Sequence, residues 1–216
     1  MTPKTKSNVK EPIELTKEEK QIIQETKILE KRETLPQKTG VVLTGGIDST
    51  VTLCKVKRNG SMEIQPIVFI EEGREEETNK AIRDILEHEA VSSEIKYFEK
   101  TNTKAGKKEV LQWCFENNIS PLTFGSNIEE YDHNIGVDEM QEWKQLAADM
   151  NNSNVQIADP LHPVNKSVII QWANDYGVLN LTAKPNDSSK FKKIREQAFQ
   201  DARIDDPHII QETTNL

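Results

Sequence analysis

The stretch VVLTGGIDSTVTLCK, residues 41–55, decides the fold. Val41 to Leu43 read as a short buried strand that stops at Thr44-Gly45-Gly46. Asp48, Ser49 and Thr50 then open a helical run, expected over Ser49 to Arg58. Gly45 and Gly46 permit backbone angles closed to other residues and let a polyanion approach the main chain. A helix start adds unpaired N–H groups and the positive end of a dipole. Thr44, Ser49 and Thr50 contribute hydroxyls. Asp48 repels phosphate on its own, so it implies a metal ion, Mg²⁺ first, or a capping role. No Gly-Lys-Ser/Thr step follows the turn and no three-glycine dinucleotide pattern is present, which excludes those two phosphate loops.

Outward from this turn, strand and helix signals alternate. Strands are expected over Ile64 to Ile70, Ile95 to Phe98, Pro121 to Phe124 and Val155 to Ala158. Helices are expected over Glu75 to His88, Glu109 to Asn117, Asp138 to Met150, and Lys166 to Tyr176, the last closed by Gly177. Such alternation implies right-handed crossovers and a mostly parallel sheet, hence a Rossmann-like α/β sandwich of about five strands. Ligands of such sheets lie beyond the carboxyl ends of the strands.

Residues 1–38 read as a polar N-terminal arm ahead of an α/β domain spanning 39–216, with Pro36 to Thr39 as the hinge. Thr16 and Glu19 have capping-box spacing, and KEEKQIIQETKILEKRE reads as a helix. Leu15, Ile22 and Leu29 share one face of it, flanked by Ile23 and Ile28. That face either packs on the chain's own domain or binds a protein partner.

Composition limits the function classes. The 216 residues are 35% hydrophobic and 30% charged, and mean hydropathy is −0.69. No apolar run is long enough for a transmembrane helix, and the N-terminus has no secretory pattern, so the cytoplasm is expected. Cys54 and Cys114 are too few for a disulfide framework. Net charge is −8; the arm holds nine Lys/Arg and seven Asp/Glu, which leaves −10 for the rest. An acidic body argues against nucleic-acid binding by a broad electrostatic footprint.

The turn resembles the PP-loop of the adenine nucleotide alpha hydrolase-like class, whose pattern is Ser-Gly-Gly-x-Asp-Ser, with Thr44 in place of the first serine. Such enzymes cleave ATP between the α and β phosphates to adenylate a substrate. Within that class, roughly Gly40 to Pro207 is similar to 7-cyano-7-deazaguanine synthase. FGSNIEEYDHN (124–134) keeps that family's Gly125, Asn127, Glu129 and Tyr131. ADPLHPVNKSVIIQWANDYGVLNLT (158–182) keeps Pro160, Leu161, Lys166, Ile169, Gly177 and Val178. FKKIREQAFQDARIDDP (191–207) resembles its closing helix and keeps Arg195, Ala198, Phe199, Asp206 and Pro207.

The resemblance implies ATP and Mg²⁺ as cofactors, held by Thr44, Gly45, Gly46, Asp48, Ser49, Thr50 and Gly125. It makes Asp48, Ser49 and Lys166 the catalytic candidates, with a solvated surface lysine as the bland reading of Lys166. Glu71, Arg74, Asn127, Glu129 and Tyr131 are the substrate-binding candidates for a small carboxylate or deazapurine. A homodimer remains open. The departures are equally specific. The family's four zinc-binding cysteines should fall between Thr182 and Arg195, where this chain has AKPNDSSKFKK, so no zinc site is expected and 182–216 is a zinc-less remnant. The family's Phe-Asp-Tyr-Gly-Gln-Arg-His segment has become IEEGREE (70–76), which keeps Gly73 and an acid at Glu71. Arg74 and Lys104 are candidates to replace lost basic groups.

Other residues read blandly. Cys54, Cys114, Trp113, Trp143 and Trp172 are expected in the core, and His133 in an exposed loop. His88, His162 and His208 share no metal-type spacing.

Overall fold

The computed structural model describes residues 35–60, 63–70, 73, 75–99, 103–127, 137–150, 155–183 and 189–208, together with 17, 20, 21, 24, 27 and 28. Five strands form one sheet in the order β3-β2-β1-β4-β5, and every pairing is parallel. The chain runs β1 (Lys38–Val42), α1 (Ile47–Arg58), β2 (Glu63–Ile70), α2 (Glu75–His88), β3 (Lys96–Glu99), α3 (Lys104–Glu116) and β4 (Ile119–Thr123). It continues through α4 (Val137–Asp149), β5 (Ile157–Ala158), α5 (Lys166–Asp175), a 3₁₀ turn (Leu179–Leu181) and α6 (Ser189–Ala202). This is the expected Rossmann-like α/β sandwich.

Side-chain alternation along the strands builds two layers of core. Val41, Ile64 and Val68 pack beneath α1 and α2, while Val42, Ile67, Phe98 and Leu122 pack beneath α3 and α4. A third cluster joins Ile47, Val51 and Cys54 of α1 to α5 and α6. From β1 the chain winds outward to β3, then α3 returns it on the other face to β4 at the far side of β1. The direction of winding therefore reverses between β1 and β4, and a crevice opens there at the carboxyl edge.

Several boundaries differ from the sequence reading for local reasons. β1 begins at Lys38, so Lys38 and Thr39 belong to the sheet rather than the hinge; the Leu35 carbonyl and the Gln37 amide bond to Asn118 and Ser120 of the β4 region. Helix α3 begins five residues before the expected Glu109, because Thr103 caps it by accepting the Gly106 N–H at 3.2 Å. Gly106 weakens the helical pattern there and hides the true start. The closing helix stops at Ala202: Arg203 takes a φ of 57°, and the Ile204 N–H returns to the Phe199 carbonyl at 3.2 Å. That arrangement is a Schellman-type stop, with Ile204 packed on the core. Strand β5 is only two residues long.

In the arm, residues 17, 20, 21, 24, 27 and 28 are helical, and Ile28 packs against the α3–α4 core cluster. Leu15, Ile22, Ile23 and Leu29 lie outside the described residues. No helix among the described residues is long and apolar enough to cross a membrane.

Candidate functional site

The turn after β1 lies at the reversal point. Gly45 has a φ of +73°, and a Cβ there would come within 3.4 Å of both Ala183 and the Thr78 carbonyl. Glycine is therefore needed for the turn itself. Gly46 differs: its φ is −80°, and a Cβ would meet only Thr44 Oγ1, at 3.4 Å. Among the described residues, nothing else lies within 4 Å of that position.

Hydroxyls lock the turn into one shape. Gly46 N–H donates to Thr44 Oγ1 at 3.3 Å, Thr44 and Ser49 hydroxyls lie 3.1 Å apart, and Ser49 donates to the Gly46 carbonyl at 3.1 Å. The Thr44 N–H donates to Ser49 Oγ at 3.2 Å. Thr50 is fully buried and donates to the same Gly46 carbonyl at 2.8 Å. Ser49 and Thr50 thus hold the loop in this structure. Gly46 caps α1 without a side-chain bond, so the first N–H groups of that helix point to the carboxyl edge without intrahelical partners.

Asp48 and Lys166 meet beside this turn, although they stand 118 positions apart in sequence. Lys166 Nζ donates to Asp48 Oδ2, and the two side chains are only 11% and 14% exposed. Lys166 is the first residue of α5 and is buried, which replaces the bland reading of a solvated surface lysine. Asp48 Oδ1 is also buried and has no hydrogen-bond partner among the described residues.

Gly125, expected to hold the cofactor, plays a packing part. A Cβ there would fall 2.6 Å from Thr52 Oγ1 and 2.8 Å from the Asp48 carbonyl carbon and oxygen. Its missing side chain lets the segment after β4 close onto the first turn of α1. The next residue is tied from the other side, where Ser126 N–H donates to Asp159 Oδ1 at 3.2 Å. Asn127 follows and is fully buried. Glu71, Arg74, Glu129, Tyr131 and His133 lie outside the described residues.

Sequence reasoning missed Thr78 and Ala183, which crowd Gly45, and Thr52 and Asp159, which hold the Gly125–Ser126 segment. Of these, only Asp159 carried a signal, as an acid just after a strand at the carboxyl edge. Lys104 stands at the head of α3, where its charge acts on Glu142 of α4; the hydrogen bond from Lys107, then its charge and that of Lys104, hold the Glu142 carboxyl below its usual range. Cys54 and Cys114 are core residues as expected, and burial pushes both thiols up to about 12. Trp143 is buried and Trp113 and Trp172 are half-buried in the clusters. His88 lies 3.0 Å from the Tyr176 carbonyl at the carboxyl ends of α2 and α5.

No protein-family model matches the chain, and no curated protein sequence matches it. Among solved structures it is similar to the U34-tRNA thiolase NcsA from Methanococcus maripaludis with its 4Fe-4S cluster. The TM-score is 0.51 at 16% identity, covering 85% of this chain and 75% of that one. This likeness supports the fold.

Proposed function

We propose that the chain binds ATP with Mg²⁺ at the Thr44–Thr50 turn and adenylates a small carboxylate, releasing pyrophosphate. The observation that carries this reading is a Gly46 that only Thr44 Oγ1 approaches among the described residues, beside an uncapped helix start, with Lys166 close by. Phosphate oxygens seated there would accept from the first N–H groups of α1 and gain the helix dipole. The Thr44–Ser49 network keeps those donors aligned in advance, so little reorganisation is needed on binding.

The donor set also fits the metal. A half-used buried carboxylate, Asp48 with Oδ1 unpartnered among the described residues, suits a hard cation that takes oxygen ligands. When bound, Mg²⁺ supplies charge neutralisation for the departing pyrophosphate.

The acceptor follows from the resemblance to 7-cyano-7-deazaguanine synthase. A carboxylate oxygen attacks the α-phosphorus, pyrophosphate leaves, and the acyl adenylate then loses AMP to ammonia. Glu71, Arg74, Asn127, Glu129 and Tyr131 are the residues we assign to the acceptor. Glu72, Glu75 and Glu76 stand where that family has uncharged or basic groups, so we infer an acceptor different from 7-carboxy-7-deazaguanine. Those same acids favour one second reading, nucleotide binding in an assembly role without turnover. A thiolase reading built on a 4Fe-4S cluster does not fit. Such clusters take three or four thiolates, and the chain has two cysteines, each buried in a different core cluster. Ile28 supports an arm that packs on its own domain.

The test is titration of Mg-ATP into wild type and Gly46→Val, followed by pyrophosphate release with ATP, ammonia and candidate carboxylates. Binding should be lost in the variant, and equal affinity in both would refute the site. Product mass identifies the acceptor. Efficient nitrile formation from 7-carboxy-7-deazaguanine would restore that substrate, and binding without release would favour the second reading.

A further inference from the structure

We propose that Asp48 and Lys166 form an ion-exchange latch that makes anion binding at this site depend on the metal. Asp48 holds the Lys166 ammonium. A divalent cation arriving with the nucleotide takes the Asp48 carboxylate and frees the ammonium for a phosphate oxygen. The inference rests on the nucleotide reading above and adds an order of events to it.

Three observations carry it. The Asp48 carboxylate is used on one side only: Oδ2 accepts from Lys166, while Oδ1 is buried without a hydrogen-bond partner among the described residues. An ionised carboxylate has room for about four donors, so this one is prepared for more positive charge. Second, Lys166 stands at the wrong end of its helix. It is the first residue of α5, where the dipole disfavours a cation, and no acid lies in that first turn. Its ammonium is therefore held by tertiary partners, Asp48 among them, and gains from any anion brought near. Third, neither α1 nor α5 has a side-chain cap: Gly46 has no side chain, and Asn165 makes no capping bond. Two uncapped helix starts thus converge on one ion pair. While Asp48 neutralises Lys166, a free polyanion meets the Asp48 charge. Once a cation covers that charge, both helix ends and Lys166 favour phosphate.

Calorimetric titration of ATP, in excess EDTA and in magnesium chloride, tests this with wild type, Asp48→Asn and Lys166→Met, thermal melting confirming folding. Wild type should bind ATP about tenfold or more tightly with Mg²⁺, the factor set by one exchanged charge contact worth ~1.4 kcal/mol. Asp48→Asn should bind metal-free ATP about tenfold more tightly than wild type and lose its Mg²⁺ dependence. Lys166→Met should stay weak without metal. Equal wild-type affinities in the two conditions, or weaker metal-free binding by Asp48→Asn, would overturn the latch while leaving the nucleotide reading intact. No nucleotide binding by wild type in either condition would remove both. A second measurement needs no nucleotide: Mn²⁺ binding followed by electron paramagnetic resonance should tighten severalfold in Lys166→Met, because the competing ammonium is gone. Unchanged Mn²⁺ affinity would also overturn the latch.

Discussion

Replacing Gly125 by alanine should damage the fold and the site together. The added methyl carbon would sit 2.6 Å from Thr52 Oγ1 and 2.8 Å from two backbone atoms of Asp48. Real carbon contacts lie near 3.5–4.0 Å, so something must move by about an ångström. Two of the three atoms are main chain in the first turn of α1, and they cannot yield without shifting the Thr44–Ser49 network. Overpacking of this kind costs about 1–3 kcal/mol. At about 2–4 °C per kcal/mol for a chain of this size, Gly125→Ala should melt about 2–12 °C below wild type. Gly46→Ala is the matched control. Among the described residues its methyl would meet only Thr44 Oγ1 at 3.4 Å, and the loss should stay within about 1 kcal/mol. Both variants should bind Mg-ATP less well, the first through a displaced Asp48 and the second by crowding the phosphates above Gly46. Differential scanning calorimetry decides. A Gly125→Ala variant melting within a degree of wild type, or above Gly46→Ala, would refute the reasoning.

Other expectations follow from single contacts. Arg195 holds Asp206 through two hydrogen bonds of 2.5 and 2.8 Å between side chains only 11% and 5% exposed. Arg195→Ala strands a buried carboxylate and should cost about 3–5 kcal/mol in urea denaturation. Burial alone would raise the Asp206 carboxyl, but Arg195 and the His208 N–H outweigh it and hold it below its ordinary range. Its folded value is depressed, so its stabilisation is full above the ordinary carboxylate range of about 4 and falls away as pH drops through the lower folded value. Asp206→Asn should accordingly flatten the acid limb of a stability–pH curve. Cys54 and Cys114, buried with thiols raised to about 12, should resist iodoacetamide at pH 8 in the native protein and react fully once unfolded, as mass spectrometry would show. Purified protein should carry no stoichiometric zinc and keep its melting temperature in chelator; one zinc per chain by elemental analysis would contradict this.

The fold was legible because its signals are local. The strand, Gly-Gly turn and helix at 41–55 are contiguous, and the alternation that follows needs only hydrophobic runs and turn residues to be read. The end of α5 was legible for the same reason: Gly177 at a φ of +74° is a local stop. The site was legible only where it is contiguous. Asp48 could be read as a charge near phosphate, but its pairing with Lys166 comes from the packing of α5 against α1. Gly125 reads as a loop glycine until its Cα is seen against Asp48. Gly45 likewise depends on Thr78 and Ala183, which no spacing rule links to it. Thr44, Ser49 and Thr50 were recognised as a set of hydroxyls, whereas their use in holding the Gly46 carbonyl needs the folded turn.

The central claim is that a nucleotide's phosphates rest on the first turn of α1. A crystal structure with Mg²⁺ and α,β-methylene ATP tests it most directly, since that analogue cannot be cleaved between the α and β phosphates. The account predicts phosphate oxygens within hydrogen-bond distance of the Ile47, Asp48 and Ser49 N–H groups, above Gly46. An analogue bound elsewhere, or a Gly46 surface left empty at saturating concentration, would contradict it.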